Sequence, residues 1–365
     1  TYNDNVFLAD SGEEDDFITT VSPAVNLEYA PNESFDLTLD WGLNFRYYSD
    51  HKKLNDLDLD EIFDIDLKAH ARPSSRVYID ATDTFKRVPI DVRRKTAEDN
   101  FSTNMTDKNI FTINPYTVLP LTTTLTTTIG YKYNNTWYRG SDGMDSESHS
   151  GYVTLNKRFT TKINGEVKYD YLIYRPDTIG VTKDEYQRHQ PSVAATYQIR
   201  PEFSGNGEVG EAWFDYENLD DVHTPFWNIG TTYKLKMAPD TSLTAKYGTS
   251  FHDAATTDGV YKSRRLDLYF ESGKEFKISI KPYHSVDKYL NTDRKDVLIG
   301  TVVDISRPIS ERLTLKVNGT GENQKFLPED EKVSKYSIGP SLDYKVSKDI
   351  TTGIGYRYSG YKKST

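Results

Sequence analysis

Cysteine is missing from all 365 residues, and methionine occurs only three times. Zero thiols exclude disulfides, thiolate metal sites and covalent c-type haem, whose attachment needs Cys-x-x-Cys-His. No apolar run approaches 18 residues, so no transmembrane helix is encoded. Positive charge is also short: 45 Lys and Arg stand against 55 Asp and Glu, for a net charge of -10. A nucleic-acid partner would leave a basic footprint, so none is expected. No secretion signal stands at Thr1, and the sequence reads as starting in a mature or trimmed region.

What is present is tyrosine. A mean hydropathy of -0.69 would suit a disordered chain, but such chains are poor in aromatics. This one has 27 Tyr, 16 Phe and 4 Trp. A polar chain rich in tyrosine suits a β-barrel with a lipid-facing apolar band and aromatic girdles. The competing soluble reading is a β-solenoid or a multi-sandwich protein.

The segment from Phe35 to Tyr47 carries the pattern most clearly. Phe35, Leu37, Leu39, Trp41, Leu43, Phe45 and Tyr47 alternate with Asp36, Thr38, Asp40, Gly42, Asn44 and Arg46. Strict period two means a strand with one greasy and one wet face. At about 3.4 Å per residue it spans more than about 40 Å, enough to cross a bilayer and continue beyond it. The alternation returns at Leu125–Asn134, Trp227–Lys236 and Leu313–Asn318. The apolar rows, with Trp41, Leu43, Leu125, Ile129, Ile229, Tyr233, Leu313 and Leu315, are expected to face lipid, because a charge there costs about 2–4 kcal/mol near the midplane.

Turn chemistry recurs roughly every 40 residues, at 30–33, 72–75, 119–122, 159–162, 200–202, 238–241, 272–275, 307–310 and 346–349. Longer polar loops are expected between them, at 49–58, 88–108, 140–149, 176–185, 217–224, 253–262, 286–293 and 321–334. Nine short turns predict nine hairpins, so the expected fold is all-β: a transmembrane antiparallel up-and-down β-barrel of about 18 strands, range 16–20. Residues 1–365 read as a single outer-membrane domain. Both ends would fall on the long-loop side, which suggests a missing strand at each terminus, with Thr1–Phe7 the stub of one. Pro23, Pro115, Pro191, Pro282 and Pro340 interrupt strand patterns and are expected near a rim or at bulges.

Chemistry-bearing clusters are sparse. Glu13-Glu14-Asp15-Asp16 and the group Asp56, Asp58, Asp60 and Glu61 offer oxygens for calcium, yet lack EF-hand spacing and read as solvated loop charge. His51, His70, His149, His189, His223, His252 and His284 form no metal-spaced pair. There is no Gly-x-Ser-x-Gly and no phosphate loop. No metal, cofactor or catalytic residue is expected. The inward row does carry charge of both signs. Its candidates as lumen-lining residues are Asp36, Asp40, Arg46, Asp64, Asp66, Lys68, Arg72, Lys132, Glu166, Lys168, Asp170, Lys234, Lys236, Lys246, Asp267, Lys277, Lys281, Asp304, Lys316, Asp343, Lys345 and Arg357. Inward Tyr48, Tyr78, Tyr116, Tyr152 and Tyr269 could stack sugars, though cross-strand packing is the plainer reading. Large apolar inward residues are few, Leu172, Leu298 and Val302 among them.

Two short stretches carry a family resemblance: Tyr2-Asn3-Asp4-Asn5-Val6-Phe7, and Asp16-Phe17-Ile18-Thr19-Thr20-Val21-Ser22-Pro23. They resemble the outer-membrane β-barrel proteins associated with exopolysaccharide and exosortase-type surface systems of Gram-negative bacteria. The resemblance implies a barrel partner for polysaccharide passage and carries over no catalytic residue. Together these readings lead to an outer-membrane channel, a passive pore for surface polysaccharide or another polar solute, working with periplasmic export proteins. One alternative is the sheath of a porin–cytochrome conduit with a multihaem cytochrome as partner. Another is an outer-membrane enzyme, since a Ser/His/carboxylate site assembled across strands would leave no local signature.

Overall fold

The computed structural model describes residues 2–3, 16–21, 23–52, 55, 63–89, 105–139, 143–177, 184–235, 240–253, 259–273, 276–347, 351–356 and 358–364. Its strands, all antiparallel to their neighbours, follow the alternation. The first hairpin is a single register with breaks. β2 (Asp16–Val21) and β3 (Ala24–Asn32) face β5 (Phe45–Tyr48) and β4 (Phe35–Leu43). Ile18 lies opposite Tyr48 and Ala24 opposite Gly42, and between them the Leu43 amide donates to the Pro23 carbonyl at 2.9 Å. The short β1 (Tyr2–Asn3) pairs with β2, Tyr2 opposite Phe17.

Six strands follow: β6 (Phe63–Ala71), β7 (Val77–Pro89), β8 (Met105–Pro120), β9 (Leu125–Tyr138), β10 (Ser146–Arg158) and β11 (Ile163–Pro176). The far wall holds β12 (Tyr186–Arg200), β13 (Phe203–Tyr216), β14 (Val222–Lys234), β15 (Ser242–Asp253), β16 (Val260–Ser272) and β17 (Lys277–Tyr289). Last come β18 (Lys295–Pro308), β19 (Leu313–Leu327), β20 (Glu331–Lys345), β21 (Thr351–Gly355) and β22 (Tyr358–Ser364). The strands from β3 onward close into a barrel, with β5 continuing β4 beyond it. β21 and β22 both pair with β20, so they act as one interrupted strand. Counted so, the barrel has eighteen strand positions, the expected number.

The two faces separate cleanly. Ile129, Val167, Val209, Ile229, Tyr233 and Ile338 stand exposed on one face. That is the lipid face: exposed apolar rows on a closed barrel are stable only against hydrocarbon. Aromatic rings mark its two borders. Toward the long loops, Tyr133, His149, Tyr171 and His189 touch ring to ring in neighbouring pairs, and Trp213 packs on His223. Toward the short turns, Phe203 packs on Tyr233. Phe203 and Trp213 sit at opposite ends of β13, about 34 Å apart along the strand. A tilt of about 40° brings that to about 26 Å, the height of an outer-membrane barrel's apolar band.

The other face is concave and polar. Side chains from strands two apart meet there. The Tyr152 hydroxyl of β10 donates to Asn114 of β8 at 3.0 Å, passing over Gly130 of β9. Tyr283 of β17 donates to Glu322 of β19 over Gly300 of β18 in the same way. A Cβ at either glycine would overlap the tyrosine ring.

Three expectations change. Several long loops are short, because the strands run on past the apolar band. β19 continues to Leu327 and β20 starts at Glu331, so most of the expected 321–334 loop is ladder. Likewise Lys108 lies in β8 and His149 in β10. Outside hydrocarbon a strand needs no apolar row, so its sequence looks like loop. Leu43 of the expected lipid row is buried. Pro115, Pro191, Pro282 and Pro340 lie inside long strands with the register unshifted, while the shifts occur at 29–32 and 198–200. Each proline forfeits one ladder donor and leaves the pairing frame intact.

Candidate functional site

The long-loop mouth does not simply open. β14 and β15 pair only from Ile229–Lys234 to Ser242–Tyr247. Above that point β15 leaves its neighbour while staying paired with β16 up to Asp253 and Val260. The Asn228 side chain fills the break: its Oδ1 accepts from the Thr249 amide at 2.8 Å. Beyond it, residues of the lipid-face row turn against the inner face of β13 and β14. Phe251 meets the Phe214 ring at 5.2 Å and the Phe226 ring at 6.2 Å. Lys262 donates from Nζ to Thr224 Oγ1 at 2.5 Å and to the Pro225 carbonyl. The upper β15–β16 hairpin is thus folded into the bore.

An apolar cluster holds it there. Ala212, Phe214, Phe226 and Val260 are buried with Tyr174 and Tyr186, and Leu172, Tyr216, Val222, Phe251 and Leu290 pack around them. Tyr174 and Tyr186 stack at 4.9 Å. At the tip, Tyr186 of β12 donates to Asp253 at 3.1 Å. Asp253 is also within electrostatic reach of Lys108 on β8 and Tyr138 on β9. β8 stands seven strands from β15 in the eighteen-strand ring, so the hairpin's charge is felt well beyond the neighbouring strands.

Directly below lies a polar concavity of about 540 Å³ on β8–β12, and Leu172 borders both it and the apolar cluster. Lys132, Glu166, Lys168 and Asp170, four of the expected inward residues, come together here with Tyr152, Arg188 and Gln190. Arg188 and Asp170 pair at 3.0 Å, 16% and 14% exposed. Ser150 donates to the other Asp170 oxygen at 3.0 Å. A second concavity of about 520 Å³, at the short-turn end, gathers Lys277, Asp304 and Lys316 with Asp240 and Glu271.

The expected residues that fall within the described barrel strands stand in the polar rows of those strands, whereas Arg46 lies on β5 beyond the barrel and Arg72 in a short turn. Lys316 pairs with Asp343 at 2.6 Å and Lys68 with Asp66 at 3.1 Å. Asp40 accepts from Asn26 at 2.5 Å, with Asp66 opposite it on the next strand. Asp36 lies opposite His70, and Asp64 opposite Gly42. Asp267 takes Arg265 at 2.8 Å, and Lys246, its neighbour in register, lies 5.6 Å from the Tyr269 ring. Lys234 faces Ser242, Lys281 faces Val302, Lys345 faces Thr351 and Arg46 faces Thr20. Arg72 reaches the Ser75 carbonyl in its short turn at 3.3 Å. Lys236 and Arg357 lie outside the described residues, as do Glu13, Glu14, Asp15, Asp56, Asp58, Asp60 and Glu61. Tyr78 and Tyr116 stack on each other at 5.1 Å, and Tyr48 is buried, as cross-strand packing would have it. Arg188, Tyr186, Asp253, Lys262 and the phenylalanines went unread in the sequence. Two signals were available: Ala212, Phe214 and Phe226 break a wet row, and Lys262 and Arg264 break a greasy one.

Among the described residues no three His, Asp or Glu converge as a metal site. Ser250 and His252 bond at 2.7 Å on one face of β15, but among the described residues no carboxylate hydrogen-bonds that imidazole.

No family model matches the chain, and no curated protein does. Solved structures do share its fold. The iron transporter FrpB of Neisseria meningitidis (F5-1 variant, apoprotein form) is 9% identical with a TM-score of 0.53, over 95% of this chain and 73% of that one. A second structure of that variant gives 10%, 0.52, 95% and 74%. A mutant of the ferric enterobactin receptor PfeA of Pseudomonas aeruginosa gives 8%, 0.50, 95% and 71%. The chain therefore has the fold of the Gram-negative outer-membrane β-barrels, and its exposed apolar rows lie where such a barrel meets lipid. Its neighbours are transport receptors rather than enzymes. The expected passive pore for polysaccharide is overturned: the barrels resembled are those of an iron transporter and a ferric enterobactin receptor. The cytochrome sheath fits them no better, and neither the exopolysaccharide association nor the periplasmic export partners find support.

Proposed function

We propose that this barrel is a gated outer-membrane transporter that takes up a compact polar solute; among proteins of the same fold one is an iron transporter and another a ferric enterobactin receptor. Its path is the polar inner face, lined by the charged residues from Asp36 to Lys345 named above. The observation that carries this reading is the infolded β15–β16 hairpin, seated by Phe251 and Val260 on Phe214 and Phe226. A passive pore needs an open bore. A selective one needs a closure that a bound solute displaces, and this hairpin has already given up its ladder with β14. Selective uptake is tested in proteoliposomes. Wild-type barrel should pass glucose slowly, and a variant with the hairpin shortened should pass it several-fold faster. Equal rates would remove the gate.

A further inference from the structure

We infer that the concavity beneath the hairpin is a binding subsite for a compact carboxylate or similarly anionic solute. The inference rests on the transporter reading and adds the chemistry of what is held. Register lays out the site. Lys132, Ser150, Leu172 and Arg188 form one row across β9–β12. Gly130, Tyr152, Asp170 and Gln190 form the next, and Thr128, Thr154, Lys168 and Ser192 the third. Gly130 makes the hollow: with no Cβ it lets the Tyr152 ring lie over it and reach Asn114. At about 540 Å³ the space suits a small ligand.

The charge state of the lining chooses the ligand. Asp170 has both oxygens engaged, one by Arg188 and one by Ser150, so it is neutralised and held. Lys132 and Lys168 make no ion pair among the described residues, although Lys168 is half-buried. Glu166 is the one acid left, at the short-turn edge of the hollow. The uncompensated charge is positive and flanks the Tyr152 ring, while hydroxyls of Thr128, Ser148 and Thr154 offer donors around the lysines. Charge-assisted donors arranged around a rigid floor favour carboxylate oxygens over neutral solutes. Leu172 joins this hollow to the apolar cluster above, so a bound anion lies against the foot of the gate.

The test is calorimetric titration of the purified full-length barrel with citrate, and with glucose as the neutral control. Citrate should bind and glucose should not. Lys132→Gln with Lys168→Gln should weaken citrate at least tenfold, and Lys162→Gln, at an exposed lysine in the short turn before β11 and outside both the hollow and the path, should leave it unchanged. Heat-modifiable gel migration confirms that each variant keeps its barrel. No citrate binding, equal binding of glucose, or unchanged affinity in the double variant would overturn the subsite. Shortening the hairpin separates the two readings. If glucose flux is unaffected while citrate binding stands, the gate fails and the subsite survives. If flux rises while citrate never binds, the subsite alone fails.

Discussion

The Tyr186 hydroxyl donates a 3.1 Å hydrogen bond to Asp253, which belongs to a strand three places further round the barrel. Side chains on a regular wall do not meet at that separation. The bond exists because β15 leaves β14 at Gly248 and carries its tip inward. That bond, the Lys262 contacts with Thr224 and Pro225, and the apolar cluster together seat the hairpin against the wall.

The cluster should hold the gate more than it holds the barrel. Phe214→Ala removes a fully buried ring that touches both Tyr186 and Phe251. Such truncations cost about 3–5 kcal/mol. Hydrogen exchange should rise first at Thr249–Asp253 and Val260–Lys262, with the β6–β12 wall still protected. Uniform loss of protection would show that the hairpin is not a separate unit.

The Arg188–Asp170 pair is nearly buried, so breaking it leaves a lone charge. Arg188→Leu should destabilise by about 3 kcal/mol, and Arg188→Leu with Asp170→Leu should recover most of that. Urea titrations of the two variants in the same vesicles decide it. A double variant no better than the single would mean the pair is not isolated.

Gly130 is needed because Tyr152 lies across it. Gly130→Ala should push the ring off Asn114 and cost about 1–2 kcal/mol. Adding Tyr152→Ala should abolish that penalty. Near-ultraviolet circular dichroism, reading the tyrosine environment, should change in the single variant.

The lipid face gives the sharpest contrast. Ile229→Lys should cost about 2–4 kcal/mol when the barrel folds into vesicles, while Thr82→Lys on the inner face should cost less than about 1 kcal/mol. Comparable penalties would mean the faces are assigned the wrong way round.

Much of this architecture was legible in the chain. Lipid demands an apolar row, and Ile129, Ile229 and Tyr233 supply it at period two, so strands and strand number could be read. The ends of the strands could not, because past the girdle of Tyr171 and His189 the selection for greasy residues stops. The gate was hidden for a related reason. Phe251 sits in the row that elsewhere faces lipid, and a phenylalanine packed on Phe226 has the same signature as one dissolved in acyl chains. The inner charges were legible by residue type, but not their grouping. Only the register that aligns Lys132 with Arg188 shows which of them share a hollow.

Planar-bilayer conductance tests the central claim, closure of the mouth by the β15–β16 hairpin, most directly. Wild-type barrel is compared with a variant in which residues 250–262 are replaced by a two-residue turn. Brief, low-conductance openings are expected for the wild type and a steady conductance several-fold higher for the variant. A wild-type barrel that already conducts as steadily and as strongly as the shortened one would contradict that claim.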